Sequence, residues 1–446
     1  MKFYLLILFF LLAPKAHSAT FSVNSPNDNN DLTPGDGICA DVFGQCTLRA
    51  AIEETNNLPG ADNVYLQRGV SYQNGFSSQL ITDSLTLSIE NPFTPITSAL
   101  QLPQIHGNNN RVFKVQNATE VTFFGLLIMD GDVTRNNLGD QYGGGVSVDD
   151  VTTFNLLNSI VYANRALTGG GLEFRNVGNV LISLSDISYN ENVESPSHGI
   201  AIKHGGLNAG EIKIQHSSIH HNSLMNNNPG GCSYAIEKEA ATGDMYVFNS
   251  LISDNGNFTI PNNCVFGIYA ASSSLFQSSD LFIVNSSIIN NHGEGLSYWD
   301  SGTVITGNLF VRNSILANNN YGDCDGSMRG IINFGDANGG YNITSDSSCN
   351  LPAISGNMQN TNPMLSPAKS IFPYATFLFI YYEPMFNSPA IDNGSPLPVH
   401  IGNPNACQQY DQLLRLRPID GNGNGSAVCD IGAVEYTDLI FENGFE

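Results

Sequence analysis

The chain is poor in charge, in tryptophan and in stretches that could run as long helices. Asp, Glu, Lys and Arg make up 13% of its 446 residues, and the basic ones number 17 against 40 acidic. That shortage of cations disfavours nucleic acid and anionic lipid as partners, since both are held by Lys and Arg. No phosphate loop, HExxH, nucleophile elbow or CxxC occurs, so the usual signatures of nucleotide, zinc-protease, α/β-hydrolase and zinc-ribbon chemistry are missing. After residue 19 no apolar run is long enough to span a bilayer. Residues 371–385 come closest, and Pro373, Glu383 and Pro384 interrupt them.

The one uninterrupted apolar run lies at the start. Lys2, then Phe3 to Ala13, then the small residues Ala16, Ser18 and Ala19 read as a secretory signal, cut after Ser18 or Ala19. Its removal leaves 15 basic residues against 40 acidic, a net charge near −25. The mature chain is expected to be exported, with no transmembrane segment.

What the chain has in abundance is repetition. One phrase recurs six times: NSIVYAN (Asn158–Asn164), LSDISYN (Leu184–Asn190), HSSIHHN (His216–Asn222), NSLISDN (Asn249–Asn255), NSSIINN (Asn285–Asn291) and NSILANN (Asn313–Asn319). Successive Ser positions are 26, 32, 33, 36 and 28 apart. Periods of this length mean stacked coils, none of which can bury its own apolar side alone. A second phrase keeps step, a Gly followed by an alternating strand at Gly145, Gly171, Gly199, Gly231, Gly267 and Gly295. Period-two alternation is a strand with one buried face. Helical repeats are excluded by the density of Gly, Asn and Ser, and propeller blades need more residues per unit. The fold class read from this is all-β, a parallel β-helix.

In such a stack, equivalent side chains lie about 4.8 Å apart. The Asn column of Asn164, Asn190, Asn222, Asn255, Asn291 and Asn319 can therefore hydrogen-bond along the axis and is expected to be structural. Three regions are expected: residues 20–75 as an N-terminal cap, 76–350 as coils, and 351–446 as final irregular coils and a C-terminal cap. In the first, TLRAAIEETNN reads as a short helix with Thr47 as N-cap and Leu48, Ala51 and Ile52 as its apolar stripe. Eight cysteines in an exported chain are expected to pair, and proximity suggests Cys39–Cys46, Cys232–Cys264, Cys324–Cys349 and Cys407–Cys429.

GDGICADVFGQCTLRAAIEETN, with Cys46-Thr47-Leu48-Arg49-Ala50-Ala51 at its centre, resembles the N-terminal module of exported bacterial proteins named for a CSLREA motif. Thr and Ala stand here for the Ser and Glu of that motif. TNPMLSP (Thr361–Pro367), NSPAIDNG (Asn387–Gly394) and RPIDGNGNGSAVCDIGAVEY (Arg417–Tyr436) resemble the choice-of-anchor Q group of right-handed β-helix surface proteins. The final LIFENGFE resembles a terminal motif of secreted proteins in some Gram-negative bacteria. These resemblances imply a right-handed coil and an extracellular or outer-surface location in a Gram-negative bacterium. They imply no particular activity.

Two places could carry chemistry. Asp420-Gly-Asn422-Gly-Asn424-Gly425 matches the first half of a Ca²⁺ loop, in which alternate oxygens converge on the ion. The bidentate Glu is missing, and Asp430 or Glu435 would have to replace it. The alternative is a Gly/Asn turn fixed by the Cys407–Cys429 bridge. The second place is a sheet face. If residues after each leading Gly point inward, then Ser147, Glu173, Ala201, Ser233, Tyr269 and Ser297 form one outward column. Asp149, Arg175, Lys203, Ala235, Ala271 and Trp299 form the next. Asp149, Glu173, Arg175 and Lys203 would gather there, with Tyr269 and the only tryptophan, Trp299, as ligand-binding rings. In polysaccharide lyases of this shape, acidic residues hold Ca²⁺ and Arg or Lys takes the C5 proton, while a carboxylate pair would suit glycoside hydrolysis. The alternative is a ladder of opposite charges that only stabilises the sheet. His220 and His221 have no metal-ligand partner nearby in sequence. The reading favoured is a surface or extracellular, non-catalytic protein that binds polysaccharide or cell-surface glycan, or mediates adhesion. A polysaccharide lyase or glycoside hydrolase on the same face is the alternative.

Overall fold

The computed structural model describes residues 18–437 apart from 76, 136–139, 194–197, 208, 226–231, 241, 258–263, 274–278, 337–338, 355, 371–378 and 401–402. Nearly all of the expected signal peptide, and the terminal Leu439–Glu446, lie outside the described residues.

The chain is a parallel β-helix. Among the described residues, each central coil contributes one strand to each of three long sheets of nine, eleven and ten strands. One coil, for example, runs Val146–Asp149, Thr153–Leu157 and Ile160–Tyr162 before the next begins at Leu172. Pairing within the three sheets is parallel throughout the central coils, as at Val146↔Leu172, Thr153↔Asn179 and Ile160↔Asp186. The six repeat phrases supply six strands of the ten-stranded sheet, and the six Gly-led segments supply six of the nine-stranded one.

The aliphatic column Val161, Ile187, Ile219, Ile252, Ile288 and Leu316 is fully buried in the coil interior. Phe113, Phe123, Phe154 and Phe174 stack through the same core at ring separations of 4.8, 5.3 and 5.4 Å. Backbone carbonyls and amides at the turns would be left unpaired in this dry interior, and the repeat phrase supplies their partners. Each Asn of the column takes the backbone N–H and side-chain N–H of the preceding one, from Asn164→Asn190 (3.0 and 3.1 Å) down to Asn291→Asn319 (3.1 and 2.9 Å). The ladder ends on Asp323 Oδ1. A matching serine ladder runs from Ser159 N–H to Ser185 Oγ and on to Ser314. The left-handed backbone belongs to the residue before each ladder Asn: Ala163, Tyr189, His221, Asp254, Asn290 and Asn318, with φ from 53° to 59°. The ladder Asn is thus kept for its amide and not for its tolerance of positive φ.

The coils begin inside the segment expected as an N-terminal cap, since Thr20–Ser22 and Asp62–Leu66 already pair in the eleven-stranded sheet. Between them the helix Leu48–Asn57 packs on the first strands. Thr47 caps it, its hydroxyl accepting from Ala50 N–H, and Leu48, Ala51 and Ile52 are buried. Arg49 ties it down through both oxygens of Asp28, each at 2.9 Å. Among the described residues no helix is long and apolar enough to cross a membrane.

Residues 379–437 return along the outside of the ten-stranded sheet instead of plugging its end. Phe379 packs with Leu127 and Ile160, while Ile380, Ala390 and Ile431 pack with Leu251, Ile289 and Ile315. Ala433 N–H reaches Ser287 Oγ and Gly432 N–H reaches Asn313 O. Four disulfides close, Cys39–Cys46, Cys232–Cys264, Cys324–Cys349 and Cys407–Cys429, the pairing that proximity suggested.

Candidate functional site on the nine-stranded sheet

The outer face of the nine-stranded sheet is organised by a column of small residues that the ladder asparagines press against. The column is Gly145, Gly171, Ala201, Ala235, Gly267 and Gly295, aligned by the strand register. A Cβ on Gly171 would stand 3.1 Å from Asn190 Nδ2. Two residues beyond each small residue the side chain points outward. The row that results is Ser147, Glu173, Lys203, Glu237, Tyr269 and Ser297, extended at one end by Lys114.

This register corrects the expected columns. The pairing shifts between Gly199 and Ile202, so Gly199 does not lead its strand as Gly171 does. Ala201 and Ala235, expected in the outward columns, stand instead beside Gly171 and Gly267. Ser233, also expected outward, is buried. Lys203 stands in the row of Glu173 and not in that of Arg175. At the other end the register agrees with the expected columns: Tyr269 stands beside Ser297, and Trp299 beside Ala271 in the next row.

Asp149, Glu173, Arg175 and Lys203 do come together, and with them Glu237 and Glu239. Arg175 grips Asp149 with Nε–Oδ1 at 2.5 Å and Nη2–Oδ2 at 2.9 Å, and its guanidinium lies 5.1 Å from the Tyr142 ring centre. Lys203 Nζ is 3.2 Å from Glu239 Oε1. Glu237 accepts the N–H of Gly199 at 2.7 Å, with His198 Nδ1 at 3.7 Å. Glu173 is 2% exposed and accepts from Thr168 Oγ1 at 2.9 Å, with Arg175 Nε 4.0 Å away. Burial pushes the Glu173 carboxyl up to about 7, against the pull of Lys203, Thr168 and Arg175. For Lys203 burial opposes the charge, yet Glu237, Glu173 and Glu239 outweigh it and raise the ammonium above free lysine. Arg175 is raised in the same way, burial being overcome by Asp149.

A base must be deprotonated at its working pH. Lys203 and Arg175 are held protonated by their carboxylate neighbours, so the arrangement does not make either a proton acceptor. What it makes is a closed cluster in which each cation is paired with a carboxylate, Arg175 with Asp149 and Lys203 with Glu239. Beyond it the face turns aromatic. Tyr234 and Tyr269 stack at 4.4 Å and 15°, Phe266 meets Tyr234 edge-on at 5.6 Å, and Trp299 is 38% exposed with the Arg329 guanidinium 5.8 Å from its ring.

The candidate calcium oxygens of residues 420–425 lie in a turn where they accept backbone N–H groups. Asp420 accepts the N–H groups of Asn424 (3.1 Å) and Gly425 (2.8 Å), and Asn422 and Asn424 each accept a backbone N–H two residues on. Asp430 is buried, accepting from Asp392 N–H and Tyr436 N–H, and Glu435 pairs with Arg417. Among the described residues no three His, Cys, Asp or Glu side chains group as metal ligands.

Glu237 and Tyr234 were missed from sequence because Gly, and not any small residue, was taken as the frame. A further aromatic row on the eleven-stranded sheet was also missed. Tyr246, Phe282 and Phe310 stack there at 5.0 and 4.8 Å, with Lys213 over Tyr246. Each of the four lies four residues before a ladder Ser, a signal present in the same repeat.

No family model matches the chain, and no curated protein does. Among solved structures it is similar to one described as the crystal structure of pectate lyase Pel9A, at 13% identity and a TM-score of 0.40, over 95% of this chain and 98% of that one. A likeness that distant carries nothing about substrate or chemistry.

Proposed function

We propose that the chain is an exported β-helix protein of the extracellular space or outer cell surface, non-catalytic, that binds glycan along the outer face of its nine-stranded sheet. The observation that carries this is the juxtaposition of the aromatic surfaces Tyr234, Phe266, Tyr269 and Trp299 with an ion row whose cations are already paired. Aromatic rings offer sugars an apolar face, and paired charges at the rim give hydrogen bonds without a reactive group. Four disulfides support a location outside the reducing cytosol.

One observation favours the alternative, a polysaccharide lyase or glycoside hydrolase on the same face: the Glu173 carboxyl, pushed up to about 7, sits in the range of a general acid. It is nearly inaccessible, however, and bonded to Thr168. The test is product formation from acidic and neutral polysaccharides with the mature protein, in Ca²⁺ and in chelator. No product is expected. Unsaturated or new reducing ends that vanish in Glu173→Gln would replace binding by catalysis.

A further inference from the structure

On the far side of the solenoid, where the ten-stranded sheet turns toward the next coil, lies a second polar site that the glycan-binding face does not use. His220 is fully buried, with its Nε2 2.9 Å from Asp186 Oδ2, and Asp186 also accepts from Ser188 Oγ at 2.5 Å. His220 Nδ1 lies 2.8 Å from His221 Nδ1. A carboxylate only accepts, so the proton of His220 sits on Nε2 and its Nδ1 is an acceptor when both rings are neutral. The proton between the rings then belongs to His221 Nδ1. That leaves the lone pair of His221 on Nε2, which has no hydrogen-bond partner among the described residues.

His221 lines a cavity of about 430 Å³ together with Tyr189, Glu191, Ser223, Asp254 and Asn257. The His221 ring is held flat against Tyr189, at 4.9 Å and 15°. Tyr382, from the returning C-terminal segment, donates to Asp254 Oδ2 at 2.7 Å, and Arg165 holds Glu191 at 2.7 Å. The wall is therefore rich in acceptors: an imidazole nitrogen and two carboxylates. Their charge is shared with Tyr382 and Arg165, so donors are wanted more than a cation. A net charge of −23 works against anions.

We propose that this cavity is a binding site for a single uncharged, hydroxyl-rich unit such as a sugar, with a ligand hydroxyl donating to His221 Nε2 and the Asp186–His220 pair fixing the tautomer that accepts it. The site stands independently of the glycan-binding face. The charged and titratable groups around His221 are Asp186 and His220 beneath it, Tyr189 and Glu191 from the preceding coil, Arg165 from the coil before that, Asp254 from the following one, and Tyr382 from the C-terminal segment. Burial, then His220, lowers the His221 pKa against the pull of Asp254 and Asp186, which keeps the accepting form at neutral pH. A hydroxyl donating to Nε2 stabilises that neutral form further. Affinity is thus full above the His221 pKa and falls as pH drops through it, by up to about tenfold per unit.

The test uses the full mature protein and the methyl glycosides of glucose, galactose, mannose and N-acetylglucosamine, read by the His221 ring resonances and by ligand-observed NMR. At least one glycoside is expected to bind at pH 7.5 and to shift the His221 pKa downward. His221→Phe should weaken it at least tenfold. The Phe variant is expected to fold, because Tyr189 already places an aromatic residue at the same left-handed position one coil earlier. Absence of any shift at His221, or equal binding by His221→Phe, overturns the proposal. Preference for cationic glucosamine over the neutral glycosides overturns the ligand class.

Discussion

Glu173 makes protein stability depend on pH in a direction opposite to that of most carboxylates. Its carboxyl is raised from 4.5 to about 7, chiefly by burial. Between those values the unfolded chain has released the proton while the folded chain still holds it. The folded state then binds more protons, and stability falls as pH rises. About 2.5 units at 1.36 kcal/mol each amounts to ~3 kcal/mol. This contribution is undiminished below about pH 4.5 and gone above about pH 7. Glu173→Gln keeps an acceptor for Thr168 and has no proton to lose. The variant should match the wild type within about 1 kcal/mol near pH 5 and exceed it by ~2–3 kcal/mol near pH 8. Urea midpoints measured for both proteins from pH 5 to 8 isolate the effect. Other raised or lowered groups, such as Glu294 and Lys238, act equally on both and cancel in the difference. Parallel curves over the whole range would refute the assignment of a protonated Glu173.

Three further outcomes follow from the geometry. Asn222→Ala strands the N–H and amide of Asn190 and removes the amide donor to the carbonyls of Ile187 and His220 in a dry interior, and should cost on the order of 3 kcal/mol by denaturant unfolding. Arg417→Met leaves the buried Glu435 and Asp430 carboxyls without their cation. A loss of about 3–5 kcal/mol is expected, with limited proteolysis cutting first in the segment after residue 379. The exported protein should begin at Ala19 or Thr20, which N-terminal sequencing checks directly; retention of Met1 would remove export from the account.

The solenoid was legible because its period is written in residues with a fixed physical task. Each Asn of the ladder satisfies backbone groups of the neighbouring coil, so it cannot drift without stranding them. The helix under Thr47 and the disulfide pairing were legible for local reasons, capping chemistry and chain proximity. The rows of the candidate face were only half legible. The frame is a column of small residues, in which Ala201 and Ala235 take the register places held by glycine in the other coils. Reading glycine alone moved Lys203 by one row and hid Glu237. The return of residues 379–437 along the flank had no periodic signal, because it rests on scattered contacts such as Tyr382 with Asp254 and Gln408 with Asn285. The His220–Asp186 contact was hidden because 34 residues separate partners that lie on adjacent coils.

Glycan binding along the nine-stranded sheet is tested most directly by an oligosaccharide array probed with the mature wild type, Tyr269→Ala and Trp299→Ala. The account predicts retention of at least one extended glycan by the wild type, loss of at least tenfold in affinity in each variant, and a recovered ligand of unchanged length. Binding that survives both substitutions, or a ligand that returns shortened, would contradict it.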